Sequence, residues 1–186
     1  RDAILGHALQ AHSRAQSGLG SGADVAACAY GRPINFRTTG NDFRLDAIEI
    51  SQTSPQIPMN LIWTGQAADT RKMVGQFQNW VDYGGTKARE LIVKLIEASN
   101  ELAKAWYSVA KRDLFELIDN FDSAMIACAE ESGVRYKIPI HEEIEAWAKK
   151  HGGRAKPTGA GGGDMILILG DLPINELDRL VIPLLI

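Results

Sequence analysis

Cysteine is nearly absent from this chain: Cys28 and Cys128 are the only two among 186 residues, and they stand far apart. Neither belongs to a C-x-x-C pair, which argues against a disulfide framework or a zinc site and fits a reducing, cytoplasmic setting. Basic excess is missing as well. With 20 Lys and Arg against 23 Asp and Glu the net charge is -3, so the chain has no field to condense on nucleic acid or an anionic membrane, and neither is expected as a partner. No apolar run approaches the roughly 18 residues of a membrane span, and the first residues lack the charged-then-apolar layout of a signal peptide. A G-x-x-x-x-G-K-[ST] run is also lacking, which removes a Walker-type nucleotide loop. Histidines are few. His7 and His12, five apart, do not share a helical face well enough for a metal pair, and His141 and His151 are expected on solvent-facing helix positions.

What remains is a globular composition, 45% hydrophobic and 23% charged, sufficient for one domain or two small ones, together with two concentrations of glycine. The first, Gly18-Leu-Gly-Ser-Gly-Ala-Asp24, opens a small-residue helical stretch through Ala29 and sets a carboxylate near a helix start. The second, Lys156-Pro-Thr-Gly-Ala-Gly-Gly-Gly-Asp164, runs into the apolar strand Met165–Leu169. Glycines free the backbone amides to turn toward an anion, and two such loops suggest phosphoryl chemistry. The second loop is not a dinucleotide fingerprint, because it precedes a strand instead of following one. Taken alone it also suits a surface turn, and Asp24 alone suits a first-turn residue that complements a helix dipole.

Helical spacing predicts a first helix over 2–16 with Ile4, Leu5, Ala8 and Leu9 near one face. Alternation then predicts a hairpin from Ile34–Phe36 and Phe43–Ile50 around a turn at 39–42, and the Pro-containing stretch 51–58 suggests a crossover between lobes. A short strand is expected over Met59–Trp63. Sustained apolar stripes predict helices over 86–110, 113–131 and 140–150, and a final short helix near 174–180. The segment Thr64-Gly-Gln-Ala-Ala-Asp-Thr70 lies where a strand meets a helix. Its hydroxyls and amide suit a polar substrate or phosphate, and Asp69 or Thr70 equally suits a helix N-cap. Lys156, Arg154, Arg71 and Lys72 flank the candidate loops as available cations, and Asp164 suits either a phosphate-bound Mg²⁺ or hydrogen bonds to loop amides. The apolar tail Val181–Ile186 needs covering by its own lobe or a neighbouring subunit. The mixed order of elements indicates an α+β sandwich.

Three segments in order carry a resemblance: Ala11–Ala27 with Tyr30-Gly31, Trp63–Thr70, and Thr158–Asp164. Together they resemble the GHMP small-molecule kinases, especially the phosphomevalonate kinase branch. The resemblance implies a two-lobed α+β fold, with residues 1–55 forming the end of a ribosomal protein S5 domain 2-like lobe and 56–186 a GHMP kinase C-terminal α/β sandwich lobe. It implies ATP and Mg²⁺ as cofactors and a small anionic metabolite as substrate. On that pattern Asp24 is the catalytic aspartate with Ser21 and Gly22 beside it, and Thr64, Gly65 and Thr70 lie on the substrate side. Gly159, Ala160, Gly161, Gly162, Gly163 and Asp164 hold the phosphates. Met165 stands where close relatives often carry Cys. Two further motifs of the family, a Lys-bearing strand and a phosphate loop, are expected upstream of residue 1. The chain alone is therefore expected to be inactive, and its expected partners are a second copy in a homodimer or an N-terminal half supplied elsewhere. A mevalonate or sugar kinase, a diphosphomevalonate decarboxylase, or a non-catalytic GHMP-like metabolite-binding protein are the alternatives the resemblance leaves open.

Overall fold

The structure, a computed structural model, describes residues 2–15, 18, 21–31, 34–37, 47–50, 57–106 and 111–184. The chain divides into two compact units, Arg1–Ser54 and Pro55–Leu185, with Ile186 grouped with the first.

In the first unit, helices α1 (Asp2–Ala15) and α2 (Ala23–Tyr30) pair through small and branched side chains. Leu5, Leu9 and Ala26 are buried, with Val25, Ala29, Tyr30, Ile34 and Phe36 packed around them. Of the expected α1 stripe, Ile4 faces outward and is 73% exposed. Gly22 makes the close approach possible: its φ is 76°, and a Cβ there would overlap the Leu9 side chain. Strands β1 (Ile34–Arg37) and β2 (Ala47–Ile50) pair antiparallel with Ile34 opposite Ile50, as hairpin alternation predicts. The expected turn at 39–42, the start of its second strand at 43–46 and the crossover residues 51–56 lie outside the described residues.

The second unit is built on a four-stranded antiparallel sheet of order β4-β5-β3-β6, from β3 (Met59–Trp63), β4 (Arg154–Pro157), β5 (Met165–Leu169) and β6 (Val181–Pro183). The apolar run Met165–Leu169 occupies a central position because both of its faces are covered. Ile62, Ile166, Ile168 and Ala155 form one core with Ile144 and Ala148 of α6 (Pro139–Lys150). On the other face Met59 and Leu169 meet Leu114, Phe115 and Ile118 of α5 (Lys111–Ser132). Each of the fully buried aliphatic side chains contributes roughly 1.5–3 kcal/mol by leaving water. The outer strands end in Pro157 and Pro183, where the missing N–H of proline is tolerated.

Helices α3 (Thr70–Tyr83) and α4 (Gly85–Ala105) complete the unit, and Asp69 caps α3 by accepting from the Lys72 amide at 3.1 Å. The helix expected at 86–110 is described to residue 106. The helix expected at 174–180 is instead a single 3-10 turn, Ile174–Glu176, because Pro173 precedes it and Leu177 is already extended. Residues 181–183, placed in an apolar tail by the sequence, extend the sheet beside β3, while 185 and 186 lie outside the described residues.

Candidate functional site

Asp24 stands in the first turn of α2, after the left-handed Gly22, and its side chain is 72% exposed. Ser21 Oγ accepts from the Ala23 amide at 3.3 Å, which shapes the entry to the helix. His12 of α1 comes within 3.9 Å of the Asp24 carboxylate through Nε2. An exposed carboxylate at a helix start, with small residues around it, is open to a ligand. It lies wholly in the first unit.

The second glycine segment proves to be the connection of a hairpin. β4 pairs with β5, and the Thr158 amide and hydroxyl both donate to the Met165 carbonyl at 3.1 Å, closing the loop. β4 is missed by sequence reading because Arg-Ala-Lys-Pro is short and half charged, although Ala155 and Pro157 do alternate inward. Positive φ values run through Gly161, Gly162, Gly163 and Asp164, a sequence of conformations that residues with side chains rarely adopt. Glycine is required at Gly161 and Gly163 for space as well. A Cβ at Gly161 would overlap the Tyr136 carbonyl, and one at Gly163 would come within 2.8 Å of the Gln66 carbonyl.

Two of the loop's amides are committed: Gly162 donates to Tyr136 O at 2.9 Å and Asp164 to Gln66 O at 2.8 Å. Those of Gly159, Ala160, Gly161 and Gly163 have no hydrogen-bond partner among the described residues. The Asp164 carboxylate accepts from the Ala68 amide at 3.2 Å, and Gln66 Nε2 donates to Gly162 O at 3.3 Å. Two of the three sequence-marked segments, Trp63–Thr70 and Thr158–Asp164, are thereby joined. Thr64 is buried, and its hydroxyl donates to Gln66 O at 2.9 Å, so it shapes the turn that exposes Gly65. Thr70 begins α3 and is exposed.

Next to Tyr136, which holds the hairpin, lies a half-buried polar cluster that sequence reading did not find. Lys137 Nζ donates to Asp122 at 2.6 Å and to Glu145 at 2.5 Å, and the Tyr136 hydroxyl donates to Asp122 at 3.1 Å. Burial acts to lower the Lys137 pKa, but its hydrogen bonds to the Asp122 and Glu145 carboxylates, together with their charges, outweigh it and raise the value. Burial raises Glu145 against the pull of Lys137, and burial with the nearby Asp122 charge raises Tyr136.

His141, expected at the surface, is fully buried, since it shares the inward face of α6 with Ile144 and Ala148. Its Nδ1 accepts from the Ile138 amide at 3.4 Å, which leaves the proton on Nε2. Burial lowers its pKa, opposed by the Gly163 backbone, so the ring is neutral at pH 7. The helical spacing of 141, 144 and 148 was a usable signal for this burial. Lys156 is likewise not a free cation: its Nζ donates to Pro157 O at 2.6 Å and lies over Phe121, and burial lowers its pKa. Arg154 is spent on Asp119, at 2.9 and 2.8 Å. Arg71 and Lys72 remain exposed on α3.

Among the described residues no group of three or more His, Cys, Asp or Glu side chains is placed to hold a metal. No described helix is long and apolar enough to cross a membrane.

Among the described residues, six helices and a four-stranded antiparallel sheet, with a glycine hairpin between β4 and β5, make a mixed α/β fold that matches GHMP kinase-like structures. The L. major mevalonate kinase in complex with R-mevalonate matches this fold with a TM-score of 0.65 at 20% identity, covering 84% of this chain and 46% of that one. Streptococcus pneumoniae phosphomevalonate kinase, solved with phosphomevalonate and AMPPNP, matches with a TM-score of 0.58 at 20% identity over 84% of this chain and 50% of that one. The Lin0012 protein of Listeria innocua matches with a TM-score of 0.63 at 18% identity, covering 72% and 42%. In sequence, the chain is 30% identical to a phosphomevalonate kinase of Saccharolobus solfataricus over 172 residues, 91% of this chain and 51% of that protein. The chain is thus similar in sequence to a phosphomevalonate kinase and in fold to mevalonate and phosphomevalonate kinases, and it spans about half the length of the curated relative it matches. No protein-family model matches it.

Proposed function

We propose that this chain is part of an ATP-dependent phosphotransferase that moves the γ-phosphoryl group of ATP to an oxygen of a small anionic metabolite, phosphomevalonate being the leading candidate. The observation that carries the reading is the glycine hairpin itself, whose unpartnered amides lie in a backbone that Tyr136, Gln66 and Asp164 hold in place. Preorganised N–H donors of this kind stabilise charge on a transferring phosphoryl group without reorganising during the reaction. The identity with a phosphomevalonate kinase supports the substrate class, and the AMPPNP bound to the Streptococcus pneumoniae enzyme supports ATP as donor.

In this reading Asp24 orients the acceptor hydroxyl or takes its proton, Ser21 and Gly22 shape its surroundings, and the residues from Thr64 to Thr70 line the acceptor side. Gly159 to Gly163 cover the phosphates, and Asp164 holds their loop. The residues fit Mg²⁺ only as an ion that arrives on the nucleotide, since no group of three or more His, Cys, Asp or Glu side chains among the described residues is placed to hold one. Bound there, it would neutralise phosphate charge. The reading places the activity in the cytoplasm, and it assigns residues 1–55 to the end of the first lobe and 56–186 to the second.

ADP release from the full-length protein tests this, with phosphomevalonate, mevalonate and simple sugars compared as acceptors. The proposal expects ADP formation to depend on one of these acceptors, with phosphomevalonate giving the highest kcat/KM. Absence of acceptor-dependent ADP release with all of them contradicts it.

A further inference from the structure

An anionic acceptor needs a counter-charge, yet Ser21, Gly22, Thr64, Gly65 and Thr70 carry none. Lys156 and Arg154 are occupied elsewhere, as described above. A cleft of roughly 300 Å³ in the second unit supplies what is missing. It is lined by Thr64, Gly65, Gln66, Arg135 and the start of α6 at Ile138 and Ile140. Among the described residues no Asp or Glu lines it.

Arg135 is exposed, and its guanidinium has no ion pair or hydrogen bond among the described residues. Its backbone, by contrast, is fixed. The next residue, Tyr136, is tied at its hydroxyl to Asp122 and at its carbonyl to the Gly162 amide. Gln66, which also lines the cleft, is tied to the same hairpin, because its Nε2 donates to Gly162 O. An exposed guanidinium on an anchored backbone, beside Gly65 whose missing side chain leaves the wall open, suits bidentate capture of an oxyanion.

We infer that this cleft binds an anionic group of the acceptor, a phosphate or a carboxylate, with Arg135 as the charge that selects it. The inference rests on the kinase reading for the identity of the acceptor and on the cleft for the binding site. A ligand group held there is also held near the hairpin, since Gln66 and the residue after Arg135 both bond to Gly162. Arg135 thereby becomes a specificity residue, acting on acceptor binding and not on the nucleotide.

Isothermal titration calorimetry of the full-length protein tests it without requiring turnover. Phosphomevalonate, mevalonate, inorganic pyrophosphate and AMPPNP are titrated into the parent protein, Arg135→Ala and Arg135→Lys. Arg135→Ala is expected to weaken phosphomevalonate by about tenfold or more, with partial recovery in Arg135→Lys and unchanged AMPPNP affinity. Mevalonate affinity unaffected by the substitution assigns Arg135 to the phosphate, and a parallel loss assigns it to the carboxylate. If the parent binds neither acceptor but binds pyrophosphate in an Arg135-dependent way, the oxyanion cleft stands and the choice of acceptor falls. Arg135→Ala binding every anion as tightly as the parent overturns the inference, as does an equal loss for AMPPNP. So does a parent protein that binds none of the three non-nucleotide probes.

Discussion

The Asp164 carboxylate accepts a hydrogen bond from the Ala68 backbone amide at 3.2 Å, joining two loops that lie 96 residues apart in the sequence. The link is reciprocal, for the Asp164 amide donates to Gln66 O and the Thr64 amide to Asp164 O. The hairpin that ends at Asp164 is consequently a fixed object held against the start of α3. Of the two roles the sequence left open for Asp164, a loop tie is the one its hydrogen bonds describe.

Fixation of this kind makes the glycines unequal. Gly161→Ala is expected to cost about 1–3 kcal/mol, because its φ is 83° and the added methyl meets the Tyr136 carbonyl, so backbone must move. Gly159→Ala meets open space and is expected to stay within about 0.5 kcal/mol of the parent. Chemical denaturation of the two variants checks the contrast, and equal stabilities would remove the idea of a rigid hairpin.

The half-buried cluster gives a second prediction. Lys137→Met leaves Asp122 and Glu145 facing one another without their shared cation, an uncompensated arrangement worth about 3–5 kcal/mol. Uptake of protons by those carboxylates relieves the repulsion, so the deficit relative to the parent should narrow as pH falls toward 4. A deficit that does not change with pH would show that lost packing, not charge, dominates.

His141 sets a pH dependence of opposite sense. Its folded pKa is lowered from an ordinary value of 6.5, chiefly by burial, so the unfolded chain binds the proton more readily. Its contribution to stability is present above about pH 6.5 and is lost as pH falls through the folded value, at no more than about 1.4 kcal/mol per pH unit. Glu145, whose pKa is raised by burial, works the other way from 4.5 upward, and Asp122 and Lys137 act on both groups. All three remain in His141→Gln, so the difference between parent and variant isolates the histidine. Thermal midpoints between pH 5 and 7.5 should fall less steeply in His141→Gln, and parallel profiles would contradict the account.

Much of the fold could be read in advance where periodicity was long or the apolar run unbroken. Met59–Trp63 and Met165–Leu169 are strands over the expected residues, and helices α4, α5 and α6 follow their stripes. The errors fall where tertiary context outweighs local pattern. β4 has only four residues and takes its identity from pairing with β5, and the 174–180 stretch looks amphipathic but is interrupted by extended backbone at Leu177. At the candidate site the glycine and Thr64–Thr70 segments were visible because positive φ and capping demand particular residue types. The partners that fix them were not. Tyr136, Asp122, Lys137, Glu145 and Arg135 belong to no motif, and only packing brings α5, α6 and the hairpin together.

The central claim is that Asp24 serves phosphoryl transfer, and the kinetics of Asp24→Ala in the full-length protein test it most directly. The side chain is 72% exposed, so its removal should leave the thermal midpoint within about a degree or two of the parent. Acceptor-dependent turnover is predicted to fall about 10²-fold or more, with little change in nucleotide affinity. An Asp24→Ala protein that turns over phosphomevalonate at the parent rate would contradict the account.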